Sequence, residues 1–410
     1  MVRSNAQCNI VRPVTRRVFC FKEVKMNRHL FLLLLIGFLS AFPPFVTDLY
    51  LPALPSLADF FKTSPPLVQM SLTMSMLGLA LGQLFVGPLS DRFGRKKLLL
   101  LSLVAFVVST VLCLLSPNIF LFDAFRLLQG MAASGGIVIA RAMATDKCRG
   151  KVLTKFLAVV SAINGIAPVT APVLGGILLG FVDWRGTFAV LLVYGFALLF
   201  GSARVSETLP ESRRSHASLV LTFKAYGGVL KNASYLLYLS LYAVSAWILF
   251  AYISASPFIL QQGYGLSPMA FSFCFAVNAI AIGLGCAVSG KAGERKMILA
   301  GGLSLCAFAL LTALALHFRA SLFVIEACFV ALLFSFGLLQ PPSTSLALNS
   351  ERKNAGTASA LLGASGFLMG GMVTPLVGFG DIFRSLGMAL LTGAVFTLLM
   401  AVLAYRNLGR

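Results

Sequence analysis

Apolar residues recur along the chain in runs long enough to cross a bilayer, separated by short polar stretches. A hydrocarbon core about 30 Å thick takes about 20 residues of helix, and twelve such runs can be marked. The first begins at Leu30 and passes Tyr50; five more cover 67–90, 98–115, 119–141, 153–181 and 184–203. The second six cover 233–260, 269–289, 297–317, 321–348, 355–379 and 385–405. The pattern predicts an all-α membrane protein with twelve transmembrane helices in two six-helix bundles.

Composition agrees. Of 410 residues 58% are hydrophobic and only 11% charged, far from the globular norm of about one quarter charged, and the mean hydropathy is +0.91. The formal charge of +20 would suit a polyanion, but the basic residues fall in short runs between apolar segments rather than on one solvated face. Of the 33 Lys and Arg, 28 lie in the N-terminal tail, at the C-terminus or in the even-numbered connections, four (Lys62, Arg185, Arg319, Arg384) in the odd-numbered ones, and Arg126 inside the fourth run. Retention of Lys and Arg on the cytoplasmic face then places both termini in the cytoplasm of a multi-pass inner-membrane protein. The charge is a topology signal with some attraction to anionic lipid headgroups, so lipids are expected partners and nucleic acid is not.

The basic N-terminus before an apolar run is like a secretory signal, yet it has no small-x-small cleavage site and eleven runs follow, so it reads as an uncleaved first helix. Residues 1–25 are unpatterned: either a disordered basic tail or a stretch ahead of a natural start at Met26. The eight cysteines include no CxxC pair, and five of them (Cys113, Cys274, Cys286, Cys306, Cys328) lie in the runs as apolar fillers. Neither a metal-ligand set, a nucleophile motif nor a nucleotide loop is present. We therefore expect no enzyme activity, no metal and no cofactor, and a histidine relay is disfavoured because His29, His216 and His317 lie near segment ends.

A shift near 199 residues lays Phe93-Gly94-Arg95-Lys96-Lys97-Leu98 over Ala292-Gly293-Glu294-Arg295-Lys296-Met297 and brings Asp183 and Arg185 close to Asp381 and Arg384. This predicts a parallel repeat of two six-helix halves, 26–205 and 232–410, joined by a polar cytoplasmic linker, 206–231.

Charges inside the runs are the sharpest chemical clue, since each costs about 2.5–3.5 kcal/mol at the bilayer centre and so normally faces a cavity or a partner. They are Asp48, Asp123, Arg126 and Glu326. Asp48 has two placements: buried in an extended first helix, where it could take a proton from one side and release it to the other, or in water at the helix end. Arg126 cannot lose its charge; it pairs with Asp123 three residues earlier, or it tunes a nearby carboxylate. Glu326, about five residues from its helix end, is expected to snorkel to the interface.

The loop Gly87-Pro88-Leu89-Ser90-Asp91-Arg92-Phe93-Gly94-Arg95-Lys96-Lys97 is the most specific motif. Its glycines allow a tight turn, Asp91 can accept from a neighbouring helix N-terminus, and the whole would act as a cytoplasmic latch. The run Ala167-Pro168-Val169-Thr170-Ala171-Pro172-Val173-Leu174-Gly175-Gly176 combines small residues for close approach with helix-bending prolines. The first loop resembles motif A of the major facilitator superfamily, Arg126-Leu127-Leu128-Gln129-Gly130 resembles its motif B, and the Pro168–Gly176 stretch resembles the antiporter motif C, with Ala171-Pro172 in place of the usual Gly-Pro. Thr47-Asp48-Leu49-Tyr50-Leu51-Pro52-Ala53-Leu54-Pro55, Ser256-Pro257-Phe258 and Ala355-Gly356-Thr357-Ala358-Ser359 are similar to the bicyclomycin-resistance (Bcr/CflA) branch of drug:proton antiporters.

The resemblance implies two six-helix bundles that expel drug-like molecules in exchange for protons by alternating access. It implies coupling roles for Asp48 and Arg126, a latch of Gly87, Asp91, Arg92, Gly94, Arg95 and Lys96, and a hinge at Pro168, Pro172, Gly175 and Gly176. It also favours the buried placement of Asp48. A second acidic residue that some relatives carry in the first helix is Ser40 here, which weakens a two-carboxylate scheme. Trp247, Tyr252 and Asn278 are candidate walls of a substrate cavity, although each also suits simple packing. The expected partners are a small-molecule substrate, protons and lipids, and the chain reads as a monomer. Export of a metabolite, such as a sugar or amino-acid derivative, is the alternative reading.

Overall fold

The computed structural model describes residues 30–147, 150–214, 219–291 and 293–408; the basic stretch 1–25 lies outside them. Twelve long helices follow: α1 (Leu30–Phe60), α2 (Pro65–Phe93), α3 (Arg95–Leu114), α4 (Ile119–Lys147), α5 (Gly150–Leu178) and α6 (Trp184–Ala203), then α7 (Ala233–Gly263), α8 (Pro268–Ser289), α9 (Glu294–His317), α10 (Leu322–Ser350), α11 (Ala355–Gly378) and α12 (Ile382–Asn407). Eleven are long and apolar enough to cross a membrane; α5 is 29 residues long, and its segment Ala162–Leu178 is apolar. A short linker helix, Leu219–Leu230, precedes α7.

Helix ends follow local chemistry. Pro65 and Pro268 stand in the first turns of α2 and α8, where a missing N–H costs nothing. Asp183 and Asp381 cap α6 and α12, accepting from the Arg185 N–H at 3.1 Å and the Phe383 N–H at 2.9 Å. These are the two aspartates that the repeat superposes. Several helices outrun their apolar runs: α2 continues to Phe93 and α4 to Lys147, because hydropathy marks the lipid thickness, whereas the helical hydrogen-bond ladder continues into water.

Both bundles use the same device to bring helices together. A Cβ on Gly78 would lie 2.2 Å from the Leu127 carbonyl oxygen, and one on Gly130 would lie 2.1 Å from that of Ser75, so α2 and α4 touch backbone to backbone. In the second bundle Gly285 and Gly337 do the same for α8 and α10, at 2.2 Å from Phe334 and 2.3 Å from Ile282. Away from these seams, large apolar side chains such as Leu101, Val108, Val193, Phe200, Val395 and Phe396 are exposed, as a lipid-facing surface requires.

The bundles meet where α2 lies along α11 and α5 along α8. At the end away from the basic loops the seam is bolted by two amides that donate to main-chain carbonyls: Gln69 to Ser254 at 2.9 Å and Gln261 to Pro52 at 3.1 Å. At the basic end the linker helix docks on α2, with the Tyr226 hydroxyl donating to the Leu84 carbonyl at 2.9 Å and Phe223 packed on Phe85.

Candidate functional site

Helix α1 is built to break. After a turn at Ala41 it is α-helical over Phe42–Asp48, unwinds at Leu49 and Tyr50, forms a 3-10 turn over Leu51–Ala53 and resumes at Leu54. Pro52 has no N–H to offer the Asp48 carbonyl four residues earlier, so the ladder fails at that point. Asp48 therefore sits at the rim of unwound backbone, 6% exposed. The Thr47 hydroxyl lies 2.6 Å from its Oδ1 and 2.7 Å from the Pro43 carbonyl. That single hydroxyl proton has two acceptors: an ionised Asp48 draws it away from Pro43, and a protonated one leaves it there.

Arg126 reaches the same break from α4. It is fully buried; Nη2 donates to the Val46 carbonyl at 2.8 Å, Nη1 donates to Gln129 Oε1, and the guanidinium lies 4.3 Å above the Tyr50 ring. Gln129 passes the network on to Thr110 of α3 at 2.7 Å, and the Tyr50 hydroxyl meets Ser71 of α2 at 3.0 Å. The alternative pairing with Asp123 does not form: no ion pair joins the two, and Asp123 Oδ1 is buried without a partner. The Val46 carbonyl, the Gln129 amide and the Tyr50 ring engage the two terminal nitrogens and the face of the guanidinium instead, and Nε is left buried without a partner.

Helix α5 closes on this region with the predicted hinge. Pro168 and Pro172 lie within it. A Cβ on Gly175 would lie 1.9 Å from the Leu49 carbonyl oxygen, and one on Gly176 would lie 2.8 Å from that of Pro268. The paired glycines thus let α5 touch α1 beside Asp48 on one side and α8 of the other bundle on its neighbouring side.

In the motif A segment Gly94 makes the turn at φ +95°, whereas Gly87 lies inside α2 and forms no turn. Asp91 pairs with Arg95 at 2.6 Å rather than capping a helix. The N-terminus of α3 is capped by Glu207, which accepts from the N–H groups of Arg95 and Lys96, both at 3.1 Å, and of Thr208 at 2.8 Å. Burial would raise the pKa of this carboxyl, but the N–H groups of Leu209, Lys96, Thr208 and Arg95 hold it below the ordinary glutamate value. Arg95 also bonds Asp146 at 3.2 Å and Ser90 at 2.5 Å. The α2–α3 turn, the end of α4 and the segment after α6 are thereby tied at one end of the molecule. Arg92 lies over the Phe93 ring and takes no part in the knot. Sequence reasoning missed Glu207 and Asp146; the available signal was an acidic residue in Ser206-Glu207-Thr208-Leu209 amid otherwise basic connections.

Trp247, Tyr252 and Asn278 sit in the second bundle. The Trp247 indole N–H donates to the Ala389 carbonyl at 3.0 Å. Asn278 Nδ2 donates to the Tyr252 hydroxyl at 3.0 Å and to Glu326 Oε1 at 2.7 Å. Glu326 accordingly turns inward to α8 instead of snorkelling outward, because Asn278 offers it a donor inside the bundle. An open groove of about 550 Å³ at the end opposite the basic loops is lined by Pro66, Phe258, Arg319 and Asp381 among others and by none of these three.

Among the described residues no group of three or more His, Cys, Asp or Glu could hold a metal ion.

The Major Facilitator Superfamily profile matches residues 30–375. The chain is 37% identical over 364 residues to the uncharacterized MFS-type transporter YdgK of Bacillus subtilis, covering 87% of this chain and 90% of that one. It is 27% identical over 393 residues to the bicyclomycin resistance protein homolog of Haemophilus influenzae, covering 91% and 94%. A crystal structure of a D-xylose-proton symporter superposes with a TM-score of 0.71 at 16% identity, covering 90% and 97%.

Proposed function

Since the chain belongs to the major facilitator superfamily, and is thus a multi-pass inner-membrane transporter, we propose that it exports small drug-like molecules in exchange for protons. The Haemophilus influenzae relative is named for bicyclomycin resistance, which supports a drug-like substrate. The observation that carries the coupling is Asp48: a buried carboxylate with Thr47 as its hydrogen-bond donor, no ion-paired cation among the described residues, and the unwound turn of α1 immediately after it. Such a group is stable when protonated and costly when ionised and sealed from water. Proton binding from the extracytoplasmic side and release to the cytoplasm then alternate with binding of drug between the bundles, and one charge crossing the membrane is worth about 2.3 kcal/mol per 100 mV. The basic loops and both termini face the cytoplasm, where the Arg95 knot and the linker helix act as the latch.

Arg126 sets the geometry. By holding the Val46 carbonyl it fixes the last turn before the break, so a change of charge on Asp48 is felt by α4 and, through Gln129, by α3. Gly175 against Leu49 transmits the same change to α5, which contacts the other bundle through Gly176.

The test is a susceptibility panel on cells expressing the chain, bicyclomycin and chloramphenicol included, beside Asp48→Asn, together with efflux from vesicles driven by a pH gradient. Resistance and gradient-driven efflux are expected from the parent and absent from the folded variant. Undiminished gradient-driven efflux by Asp48→Asn overturns the assignment of Asp48, and efflux that requires ATP overturns the antiport reading.

A further inference from the structure

Glu326 and Asn278 are one proton short of a complete hydrogen-bonded pair. Asn278 spends its donors on Glu326 Oε1 at 2.7 Å and the Tyr252 hydroxyl at 3.0 Å. What remains is one acceptor on each side chain, Asn278 Oδ1 and Glu326 Oε2, and both are buried with no partner. Orphan buried acceptors are rare and each leaves an uncompensated cost. A single proton on Oε2 turns one of them into a donor, on a side chain already joined to Asn278 through Oε1.

The surroundings favour that proton. Asn278 and Tyr252 are each 1% exposed, with Tyr252 stacked on Phe275 at 5.7 Å and edge-on to Phe329 at 5.0 Å. The titratable groups facing Glu326 are Tyr252 from α7 and Cys274 from α8. Helix α9 has its charged residues Glu294, Arg295 and Lys296 at the far end and His317 at the near end; α11 has none, and Glu326 is the only charged residue in α10. Among the described residues no Lys, Arg or His comes within ion-pair distance of it. Glu326 is half-buried as a residue while its Oε2 is sealed off, so an ionised carboxylate so placed would be a desolvated charge without a counter-charge, which is costly.

Position along the helix sharpens the point. Asp123 follows the first residue of α4 by four positions, and Glu326 follows the first residue of α10 by four. One turn beyond Asp123 stands Arg126; one turn beyond Glu326 stands Phe329. At the same distance from the helix start, α4 thus carries a carboxylate three residues before an arginine and α10 a carboxylate three residues before a phenylalanine.

We propose that Glu326 and Asn278 form a second proton-binding site, in the bundle opposite Asp48, with the proton on Glu326 Oε2 and donated to Asn278 Oδ1. Its use in transport rests on the antiport reading and would let one cycle carry a proton on each bundle; the binding itself does not depend on that reading.

Infrared difference spectroscopy of the full chain in liposomes, titrated with acid and base, reads the site without any drug. A protonated-carboxyl carbonyl band is expected at neutral pH, lost in Glu326→Gln and kept in Asp48→Asn and Asp123→Asn. Glutamine is the neutral isostere of the protonated acid, so this variant should fold. In Asn278→Leu the band should move to higher wavenumber, because the Glu326 carbonyl loses its donor. A spectrum of Glu326→Gln identical to the parent's in the carbonyl region at neutral pH overturns the proposal. Gradient-driven efflux that survives Asp48→Asn while the Glu326 band persists would sink the assignment of Asp48 and leave this site standing.

Discussion

Arg126 donates through Nη2 to the main-chain carbonyl of Val46 at 2.8 Å, two residues before Asp48, and so joins α4 to α1 without pairing with the carboxylate. A guanidinium that neutralised Asp48 would lock it in the ionised form. One that holds the peptide beside it leaves the carboxyl free to gain and lose a proton while fixing the backbone that presents it.

Arg126→Lys keeps the charge and removes the fork. A lysine ammonium is a single point without the planar fork whose two nitrogens reach Val46 and Gln129 separately, and each charge-assisted bond is worth about 1.5–3 kcal/mol. The expected outcome is a chain that inserts and purifies normally but shows a fall of about tenfold or more in gradient-driven efflux. Efflux equal to the parent's would show that charge alone suffices.

Gly175→Ala tests the contact between α5 and the broken turn. The added Cβ would lie 1.9 Å from the Leu49 carbonyl oxygen, a backbone atom with little room to yield, whereas Gly227 in the linker helix has nothing within 4 Å. Gly175→Ala should lower stability by about 1–3 kcal/mol, as overpacking does, and reduce transport, with Gly227→Ala as the silent control. Thermal unfolding in detergent and efflux by the same preparations decide it.

The twelve long helices, eleven of them long and apolar enough to cross a membrane, were legible in the sequence because lipid imposes length and polarity one segment at a time. Contacts across the sequence were not. Glu207 reaches Arg95 over 112 positions, and Glu326 was misread because its partner, Asn278, is 48 positions away on another helix. Helix ends were set short at α4, since Asp146 and Lys147 are polar residues that nevertheless continue the helix. Sequence allows Asp91 to accept from a neighbouring helix N-terminus, whereas the carboxylate that caps α3 is Glu207, more than a hundred positions away.

Glu207→Gln probes the knot at the basic end through pH. The folded-state pKa of Glu207 is lowered by the N–H groups that overcome its burial, so its contribution is present above the ordinary glutamate value of about 4.3 and is lost as pH falls through the lowered folded value. Between about pH 5.5 and 8 the difference in Tm between the parent and Glu207→Gln should stay constant, and it should shrink below about pH 4. A difference that varied across the neutral range would count against Glu207 as the titrating group of the knot.

Gln69→Leu loosens the seam at the opposite end. Gln69 Nε2 donates to the Ser254 carbonyl across the bundles, and a Cβ on Gly378 would lie 2.1 Å from Gln69 Oε1, so the amide is clasped between α7 and α11. Losing this bond, worth about 1 kcal/mol net, should move the balance between closed and open forms of that end about fivefold toward open. Pulsed electron paramagnetic resonance between nitroxides at positions 62 and 384, in a background without other cysteines, would report a larger fraction at long distance. An unchanged distance distribution would mean that Gln261 and the glycine contacts hold the seam without it.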